Sequence, residues 1–252
     1  MILFILALVL IILIVYIWKN KIVLRVDTFF RKGFKKNDDK YGVYCFTGKQ
    51  GDGKTYSLVD TLSQTGKNKI KICNIKSLCN SGYCFYGLQN FNKNLLKNST
   101  FEKIYIYEND FNKIVDFLQN RDDCKDFIII YDEIFTLIEK GKLSKDCLAF
   151  LSQMRKRGLY LYTTAQEWLE INITFRRYVR YQVACKMINI PILNFALSIN
   201  EINNAYEMKW DNLENEYIAP RVKTTIKKCS KKLADSYDTF ETIETQGKLL
   251  SR

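Results

Sequence analysis

The chain alternates between short apolar runs and polar segments rich in lysine, asparagine and glycine. Three runs are continuously apolar, namely Val43–Phe46, Phe127–Tyr131 and Leu159–Tyr162. Such runs are typical of strands that are buried on both faces of a parallel sheet. Helical segments are indicated at Tyr56–Leu62, at Phe111–Gln119 after the N-cap residue Asp110, and at Leu143–Arg157. The pattern predicts an α/β fold with a mostly parallel sheet and flanking helices.

Further strands are predicted at Lys69–Ile75, Tyr83–Tyr86 and Lys103–Tyr107. Beyond Thr174 the pattern becomes β-like, with runs at Val179–Ile190 and Ala196–Ile199. We expect Tyr206–Trp210 to pair back as an antiparallel strand, so that Arg180–Trp210 extends an edge of the sheet. The basic stretch Arg221–Leu233 is predicted to have little regular structure. A solvated tail, contact with lipid headgroups and DNA binding are all open interpretations of its charge.

The first segment, Met1–Trp18, is an unbroken apolar run that Lys19 and Lys21 follow at once. As a helix rising 1.5 Å per residue, it just reaches across the roughly 30 Å apolar core of a bilayer. A cleaved signal peptide is the alternative, but no basic residue precedes the run and no small-residue cleavage site is present. We predict an uncleaved single-pass transmembrane helix. Because the basic residues follow the run, the positive-inside rule predicts an outer N-terminus and a cytoplasmic C-terminal bulk.

The chain divides into four predicted parts. These are a transmembrane helix (1–18), a basic juxtamembrane stem (19–40), an α/β domain with a β edge extension (41–210), and a basic, partly ordered C-terminal segment (211–252). The eight cysteines are expected to be reduced and mostly buried in a cytoplasmic domain. Histidine is absent, which excludes histidine-based catalysis, and Cys79 and Cys84 have no second pair that would complete a zinc site.

The segment between the first apolar run and the first helix matches the phosphate-binding pattern G-x-x-x-x-G-K-[ST]. Its glycines allow the chain to close around an anion with inward-pointing backbone N–H groups. Lys54 is expected to reach the β- and γ-phosphates, and the Thr55 hydroxyl to bind Mg²⁺. The pattern predicts a nucleotide site formed by Gly48, Lys49, Gln50, Gly51, Asp52, Gly53, Lys54 and Thr55. The guanine signature N-K-x-D is absent, since Asn112–Asp116 has one residue too many, so ATP is favoured.

Two acidic residues, Asp132 and Glu133, end the second apolar run. The carboxyl ends of strands in an open α/β sheet lie at the edge where ligands bind. We predict that Asp132 belongs to the Mg²⁺ shell, and that Glu133 is the base that aligns and polarises the attacking water. An ordinary solvated turn is the alternative, which the nearby phosphate-binding pattern makes less favourable.

The third apolar run ends in Thr163-Thr164-Ala165-Gln166. Polar side chains at this tip are expected to contact the γ-phosphate or the attacking water, and Gln166 is the candidate sensor. An arginine from a neighbouring subunit often neutralises phosphate charge in ring-shaped NTPases. The candidates are Arg155, Arg157, Arg176, Arg177 and Arg180. Arg157 is preferred, although a surface ion pair is an open interpretation for each of them.

The motifs GKQGDGKT, IIIYDE, QMRKRGLYLYTTAQ and FRRYVRY, in this order, resemble the FtsK/HerA-type P-loop ATPases. Within that family they are most similar to the zonula-occludens-toxin-like assembly proteins of filamentous phages and to viral genome-packaging ATPases. The resemblance covers roughly Tyr41–Ala184. It implies a RecA-like sheet whose sensor strand lies between the loop strand and the acidic strand, with Gln166 beside the γ-phosphate. It also implies ATP hydrolysis coupled to DNA movement, a homo-oligomeric ring, other phage assembly proteins as partners, and the host cell membrane as location.

The net charge of +12 is compatible with DNA binding, but a composition rich in lysine, asparagine and isoleucine is also what an A·T-biased genome encodes. Three functions therefore stay open. The first is a membrane-anchored ATPase that drives DNA translocation in phage assembly, extrusion or packaging. The second is another membrane-bound P-loop ATPase with a role in transport or signalling. The third is a structural assembly protein that nucleotide regulates. The intact pair Asp132 and Glu133 favours hydrolysis over the third.

Overall fold

The computed structural model describes residues 2–19, 22–24, 41–64, 69–80, 82–91, 103–121, 123–134, 144–190, 195–211 and 216–234. In chain order its strands are β1 (Ile22–Leu24), β2 (Gly42–Thr47), β3 (Ile70–Cys73), β4 (Tyr83–Tyr86), β5 (Ile104–Tyr107), β6 (Ile128–Tyr131), β7 (Tyr160–Ala165), β8 (Val179–Ile190), β9 (Phe195–Asn204), β10 (Lys209–Asp211), β11 (Glu216–Ile218) and β12 (Arg221–Lys228). The helices are α1 (Ile2–Lys19), α2 (Lys54–Gln64), α3 (Lys76–Cys79), α4 (Phe111–Gln119), α5 (Lys145–Arg157), α6 (Ile173–Arg176) and α7 (Lys231–Ala234), with 3₁₀ turns at Leu88–Asn90 and Ala205–Glu207.

Ten of the described strands form one sheet in the order β1-β12-β9-β8-β2-β7-β6-β3-β5-β4. The seven strands from β8 to β4 run parallel to one another. Strand β9 is antiparallel to both of its neighbours, β8 and β12, and β1 pairs in parallel with β12. The expected α/β class with a mostly parallel sheet and flanking helices is therefore confirmed.

Helices cover both faces of the parallel region. On one face, α4 and α5 supply fully buried side chains such as Ile114, Phe150 and Met154. On the other face, α2 packs Leu58 and Leu62 against the strands. Every residue of β3, β6 and β7 is buried, which is the burial expected for strands covered on both sides. The apolar core thus fixes the strands whose carboxyl ends form the site.

Most predicted elements agree with the structure to within a few residues. Asp110 accepts a hydrogen bond from the Asn112 N–H group as the N-cap of α4. Helix α5 begins two residues later than predicted, after Ser144, whose hydroxyl accepts a hydrogen bond from Cys147 N–H. Strand β7 continues three residues beyond the apolar run, because Thr163, Thr164 and Ala165 keep pairing with β2.

The antiparallel region differs from its prediction. The stretch after Arg221 is not irregular, because β12 is an eight-residue strand inside the main sheet. Its residues Thr224, Thr225 and Lys227 are buried, so tertiary contacts override the polar composition. The expected strand near Trp210 exists as β10, but it pairs with β11 in a separate two-stranded sheet and not back onto the main one. The limits of the four predicted domains stay a prediction.

The N-terminal apolar run is helical as α1. In the part of the chain that the structure describes, no helix has the length and apolar character needed to cross a membrane. The transmembrane helix predicted for Met1–Trp18 is therefore not supported. The juxtamembrane stem lies almost wholly outside the described residues.

None of the eight cysteines, all of which lie among the described residues, forms a disulfide. Six are buried, and Cys84 and Cys229 are half-buried. Burial raises the pKa of the Cys185 thiol to about 12, which keeps it protonated and unreactive at neutral pH. The prediction that most cysteines are buried is confirmed, and their reduced state stays a prediction.

Candidate active site

The predicted phosphate-binding residues form a tight loop between β2 and α2. The backbone N–H of Asp52 donates to the Lys49 carbonyl at 3.1 Å, and the Asp52 carboxylate accepts from the Lys49 N–H at 2.7 Å. The Lys54 ammonium reaches back across the loop and donates to the carbonyls of Gly48 and Lys49, at 2.8 and 3.1 Å. The loop therefore surrounds a fixed positive charge at the N-terminus of a helix, which is favourable for an anion.

Two glycines are required by the shape of this loop. Gly48 has a positive φ of 156°, and a Cβ atom there would lie 2.8 Å from the Cys185 carbonyl oxygen. Gly53 has a φ of 72°, and a Cβ atom there would lie 2.5 Å from the Met187 Cε atom. Strand β8 therefore supports the loop so closely that a larger residue at either position requires a rearrangement.

Asp132 lies directly after β6 and is buried among hydroxyl groups. Its Oδ2 atom accepts a hydrogen bond from the Thr55 hydroxyl at 3.3 Å, and its Oδ1 atom accepts one from the Thr164 hydroxyl. Burial raises the pKa of the Asp132 carboxyl, and its bonds to Thr164 and Thr55 and the charge of Lys54 oppose that rise. The structure thus brings Thr55 and Asp132, the two predicted metal ligands, into direct contact.

Glu133 follows in an unusual backbone conformation. Its φ of 56° places a residue with a side chain in the left-handed region. Its backbone N–H donates to the Thr164 hydroxyl oxygen at 2.8 Å. Burial, and then the neighbouring Asp132 charge, raise the pKa of the Glu133 carboxyl, which makes it a stronger base than an exposed glutamate. Non-glycine residues in this region cluster at functional sites.

Strand β7 lies between the loop strand β2 and the acidic strand β6. This is the strand order that the motif resemblance implied. The Gly48 N–H donates to the Gln166 carbonyl at 3.1 Å, so the chain after β7 is held directly against the loop. Gln166 is exposed at this edge, next to the phosphate-binding loop, and its role as a sensor stays a prediction.

Two further residues at this edge were not singled out by the sequence. Thr164 bonds to both Asp132 and Glu133, whereas the sequence suggested that polar groups here face the phosphate or water. Asn74 follows β3, and its side-chain amide bonds to both backbone groups of Asp132. The only signal for either was a polar residue at the end of a strand.

Arg157 lies just before β7 begins, at the end of the strands that is opposite to the site. One terminal nitrogen of its guanidinium donates to the carbonyls of Leu118 and Gln119, at 3.0 and 3.3 Å, and its Nε atom donates to Gln153. In this chain it therefore caps the C-terminal end of α4. A role at a neighbouring subunit's nucleotide would require these bonds to break, and it stays a prediction. Arg180 is also engaged, since it donates to the Tyr41 carbonyl at 2.9 Å.

The donor set at the loop suits Mg²⁺. The Thr55 hydroxyl and the Asp132 carboxylate are hard oxygen ligands on one side of the loop. Among the described residues, no group of three or more histidine, cysteine or acidic side chains is arranged to hold a metal. Mg²⁺ commonly binds through one or two protein oxygens together with phosphates and water, so the two groups fit that ion.

No protein-family model matches the chain, and no curated protein matches it. Among solved structures, it is similar to the N-terminal domain of zonular occludens toxin from Neisseria meningitidis. The identity is 16% and the TM-score 0.45, over 78% of this chain and 98% of that one. It is also similar to the genome packaging NTPase B204 from Sulfolobus turreted icosahedral virus 2 in complex with ATP-gammaS. There the identity is 13% and the TM-score 0.44, over 71% and 95% of the two chains.

A third similar structure is the Legionella pneumophila ATPase DotB, at 13% identity and a TM-score of 0.38, over 69% of this chain and 47% of that one. The resemblance to zonula-occludens-toxin-like and packaging ATPases is thus confirmed as a structural similarity. Because these TM-scores lie below 0.5, function has to be inferred from the site itself.

Proposed function

We propose that this chain is a Mg²⁺-dependent ATPase. The observation that carries the proposal is the contact at 3.3 Å between the Thr55 hydroxyl and the Asp132 carboxylate. It joins the end of the phosphate-binding loop to the acidic strand, although the two residues are far apart in the sequence. Lys54 and Glu133 flank this contact from the same two elements. An anion cradle, a metal ligand pair and a base thus share one sheet edge.

The proposed roles follow from this geometry. Loop N–H groups and Lys54 hold the β- and γ-phosphates, so Lys54 exchanges its bonds to Gly48 and Lys49 for phosphate oxygens. Thr55 and Asp132 would hold Mg²⁺, which neutralises charge on the phosphates when bound. Glu133 accepts a proton from the attacking water, and Gln166 contacts that water or the γ-phosphate.

Two substitutions test the division of labour. Lys54→Ala should abolish ATP binding, whereas Glu133→Gln should bind ATP and lose turnover, because only the base is removed. A loss of about 10²–10⁴-fold in kcat is expected for Glu133→Gln. Lys76→Ala and Glu167→Gln, which change exposed residues, are the matched controls. Wild-type turnover by Glu133→Gln would show that another group is the base.

We propose, more specifically, that ATP hydrolysis drives DNA translocation in phage or viral assembly. The support is the motif resemblance and the net charge of +12. DNA should stimulate turnover, and the stimulation should fade as salt rises, because phosphate contacts release counterions. Turnover that is indifferent to single-stranded and double-stranded DNA would favour a transport or signalling ATPase. A protein that binds ATP without any turnover would favour a nucleotide-regulated structural role.

A ring is part of this proposal, with Arg157 acting on the neighbouring subunit's nucleotide. Arg157→Ala protein should then bind ATP but hydrolyse it slowly. Mixing it with Lys54→Ala protein should restore some turnover, because a mixed ring pairs an intact loop with an intact arginine. No rescue, together with a loss of thermal stability in Arg157→Ala, would assign the residue to the capping of α4 alone.

We also propose that α1 attaches the protein to the host cell membrane. The support is the apolar sequence of α1, whose side chains from Leu8 to Val15 are each 51–60% exposed. Lipid would remove this surface from water, and salt does not screen that effect. The full-length chain should therefore resist extraction by high salt and alkaline carbonate. Ile11→Lys/Ile14→Lys should be extracted, and Lys19→Gln should not. Release of the unchanged chain by salt would contradict the attachment.

A further inference from the structure

The backbone of Asp132 is held by a single side chain from the neighbouring strand. The Asn74 Oδ1 atom accepts from the Asp132 N–H at 2.9 Å, and the Asn74 Nδ2 group donates to the Asp132 carbonyl at 3.1 Å. The Asn74 N–H itself continues the pairing of β3 with β6 by donating to the Ile130 carbonyl at 3.3 Å. The amide therefore extends the sheet past the point where the two strands end.

A second side chain, Thr164 on β7, holds the peptide between Asp132 and Glu133 from the other side of β6. The Thr164 hydroxyl donates to the Asp132 carboxylate and accepts the Glu133 N–H at 2.8 Å. A hydroxyl is able to do both at once, because it has one donor and two acceptor positions. The turn at Asp132 and Glu133 is therefore hydrogen-bonded from both sides, by Thr164 on β7 and by Asn74 just after β3.

Between these two side chains, Glu133 adopts a conformation that a non-glycine residue rarely takes, with a φ of 56°. Such a conformation persists only where the surroundings determine it. Here the surroundings are four hydrogen bonds, from two residues, to the backbone and carboxylate of the two consecutive acids. Without them the turn is free to relax, and the Glu133 carboxylate then changes direction.

We propose that Asn74 and Thr164 are positioning residues, which together hold Glu133 in its left-handed conformation and so fix the direction of its carboxylate. The part of the inference that concerns turnover rests on the proposed ATPase function. The part that concerns the backbone of Glu133 does not. The two parts therefore fail separately.

The chain contains a matched control in Thr163. It precedes Thr164 on β7, so its side chain points to the opposite face of the sheet. Its buried hydroxyl has no hydrogen-bond partner among the described residues. Thr163→Val and Thr164→Val are thus the same chemical change on adjacent residues, and only the second removes bonds to the acid pair.

The first experiment measures kcat and the dissociation constant for ATP. Thr164→Val and Asn74→Leu should each lower kcat about 10²-fold, the effect of a misplaced catalytic group, and leave the dissociation constant near the wild-type value. Thr164→Ser should restore most of the turnover, because it restores the hydroxyl. Thr163→Val should hydrolyse at the wild-type rate. Equal rates in Thr163→Val and Thr164→Val would overturn the inference, whereas a wild-type protein without turnover would overturn the ATPase function.

The second experiment needs no activity. When no other residue is changed, the unfolding temperature of Glu133→Gly should be roughly 2–4 °C higher than that of Glu133→Ala, because glycine adopts a positive φ without strain. Both variants lack the carboxylate, so their difference reports the backbone alone. In the Thr164→Val background the order should reverse, because a relaxed backbone favours alanine.

An unchanged order in Thr164→Val would show that the hydroxyl does not hold this turn. If the Thr164→Val background does not fold, the same pair of variants is compared in Asn74→Leu, with the same expected reversal. An unchanged order there would overturn the inference equally.

Discussion

The two halves of the main sheet use polar residues in opposite ways. In the parallel half, β3, β6 and β7 are buried along their whole length, and the polar groups that matter lie where these strands end. In the antiparallel half, β9 and β12 place polar side chains in the interior, against the helix that follows the phosphate-binding loop. In the parallel half the polar groups are placed where a ligand can reach them. In the antiparallel half they hold α2 in place.

Three polar residues of α2, namely Tyr56, Ser57 and Asp60, bond to the antiparallel half or to the residues just after it. The Ser57 hydroxyl donates to Asn200 on β9 at 2.9 Å. Asp60 forms an ion pair with Lys227 on β12, where both side chains are almost wholly buried. The Tyr56 hydroxyl oxygen accepts the Ser230 N–H at 2.8 Å, just after β12. Because such bonds are directional, they fix the position of α2 on the sheet more narrowly than apolar contacts alone.

The largest effect is expected from breaking the buried ion pair. Lys227→Met should lower the free energy of unfolding by about 3–5 kcal/mol, because Asp60 is left charged and buried without its partner. Urea unfolding measures this. Adding Asp60→Leu should recover most of the loss, because the remaining charge is then gone as well.

The control is Lys228→Met, which removes an exposed lysine on the same strand. That lysine lies 5.0 Å from the Phe195 ring centroid, so its loss should be less than about 1 kcal/mol. Equal losses for the two lysines would contradict a special role for the interior pair.

An intermediate effect of opposite sign is expected from Lys71, a buried lysine in the parallel half. Burial lowers the pKa of Lys71 to about 8, and the nearby charge of Lys103 contributes to the shift. Burying this charge costs roughly 3 kcal/mol below pH 8. Lys71→Met should therefore raise the free energy of unfolding at pH 7 by a similar amount.

The advantage of Lys71→Met should shrink as the pH rises from 8 to about 10.5. Over that range the unfolded wild-type chain binds a proton that the folded one has released, so wild-type stability rises with pH. Thermal unfolding at pH 7 and pH 10 measures the difference, with the exposed Lys76→Met as control. If the difference does not depend on pH, folding does not lower the pKa of Lys71, and the lysine stays charged in the folded protein over this pH range.

The smallest effect is expected from Ser57→Ala, which removes a neutral hydrogen bond between α2 and β9. The loss should be about 1 kcal/mol, because the buried Asn200 oxygen keeps only a longer contact with Ser198. Ser63→Ala on the same helix also removes a hydroxyl, but at an exposed position where water replaces the bond. A larger loss for Ser63→Ala in urea unfolding would contradict this account of α2.

The site and the strands of the parallel half could be predicted because short, continuous stretches of sequence determine them. The loop from Gly48 to Thr55 and the acids after β6 are short motifs whose chemistry requires those residue types at that spacing. Their apolar strands are recognisable without knowledge of their neighbours. The position of β7 between β2 and β6 came from the motif resemblance and not from the pattern of apolar residues.

The antiparallel half was not predictable in the same way. Strand β12 has a lysine-rich sequence, and the burial of Lys227 depends on Asp60, which lies in a distant part of the chain. The sequence places Arg157 just before a predicted strand. It does not show that α4 ends beside this arginine, which is the reason that Arg157 bonds to the last carbonyls of α4. Thr163 and Thr164 are chemically identical, and only their opposite faces on β7 separate them.

The position of β2 in the middle of the sheet has a consequence for the time course of folding. Its first residue, Gly42, pairs with Tyr160, and its second, Val43, pairs also with Val179. During synthesis from the N-terminus, both edges of this strand stay unpaired until β7 and β8 have been made. Pairings this distant in sequence also slow folding, because a long loop has to close before they form. A nascent chain therefore carries its phosphate-binding loop on an unpaired strand while all the residues between β2 and β7 are made.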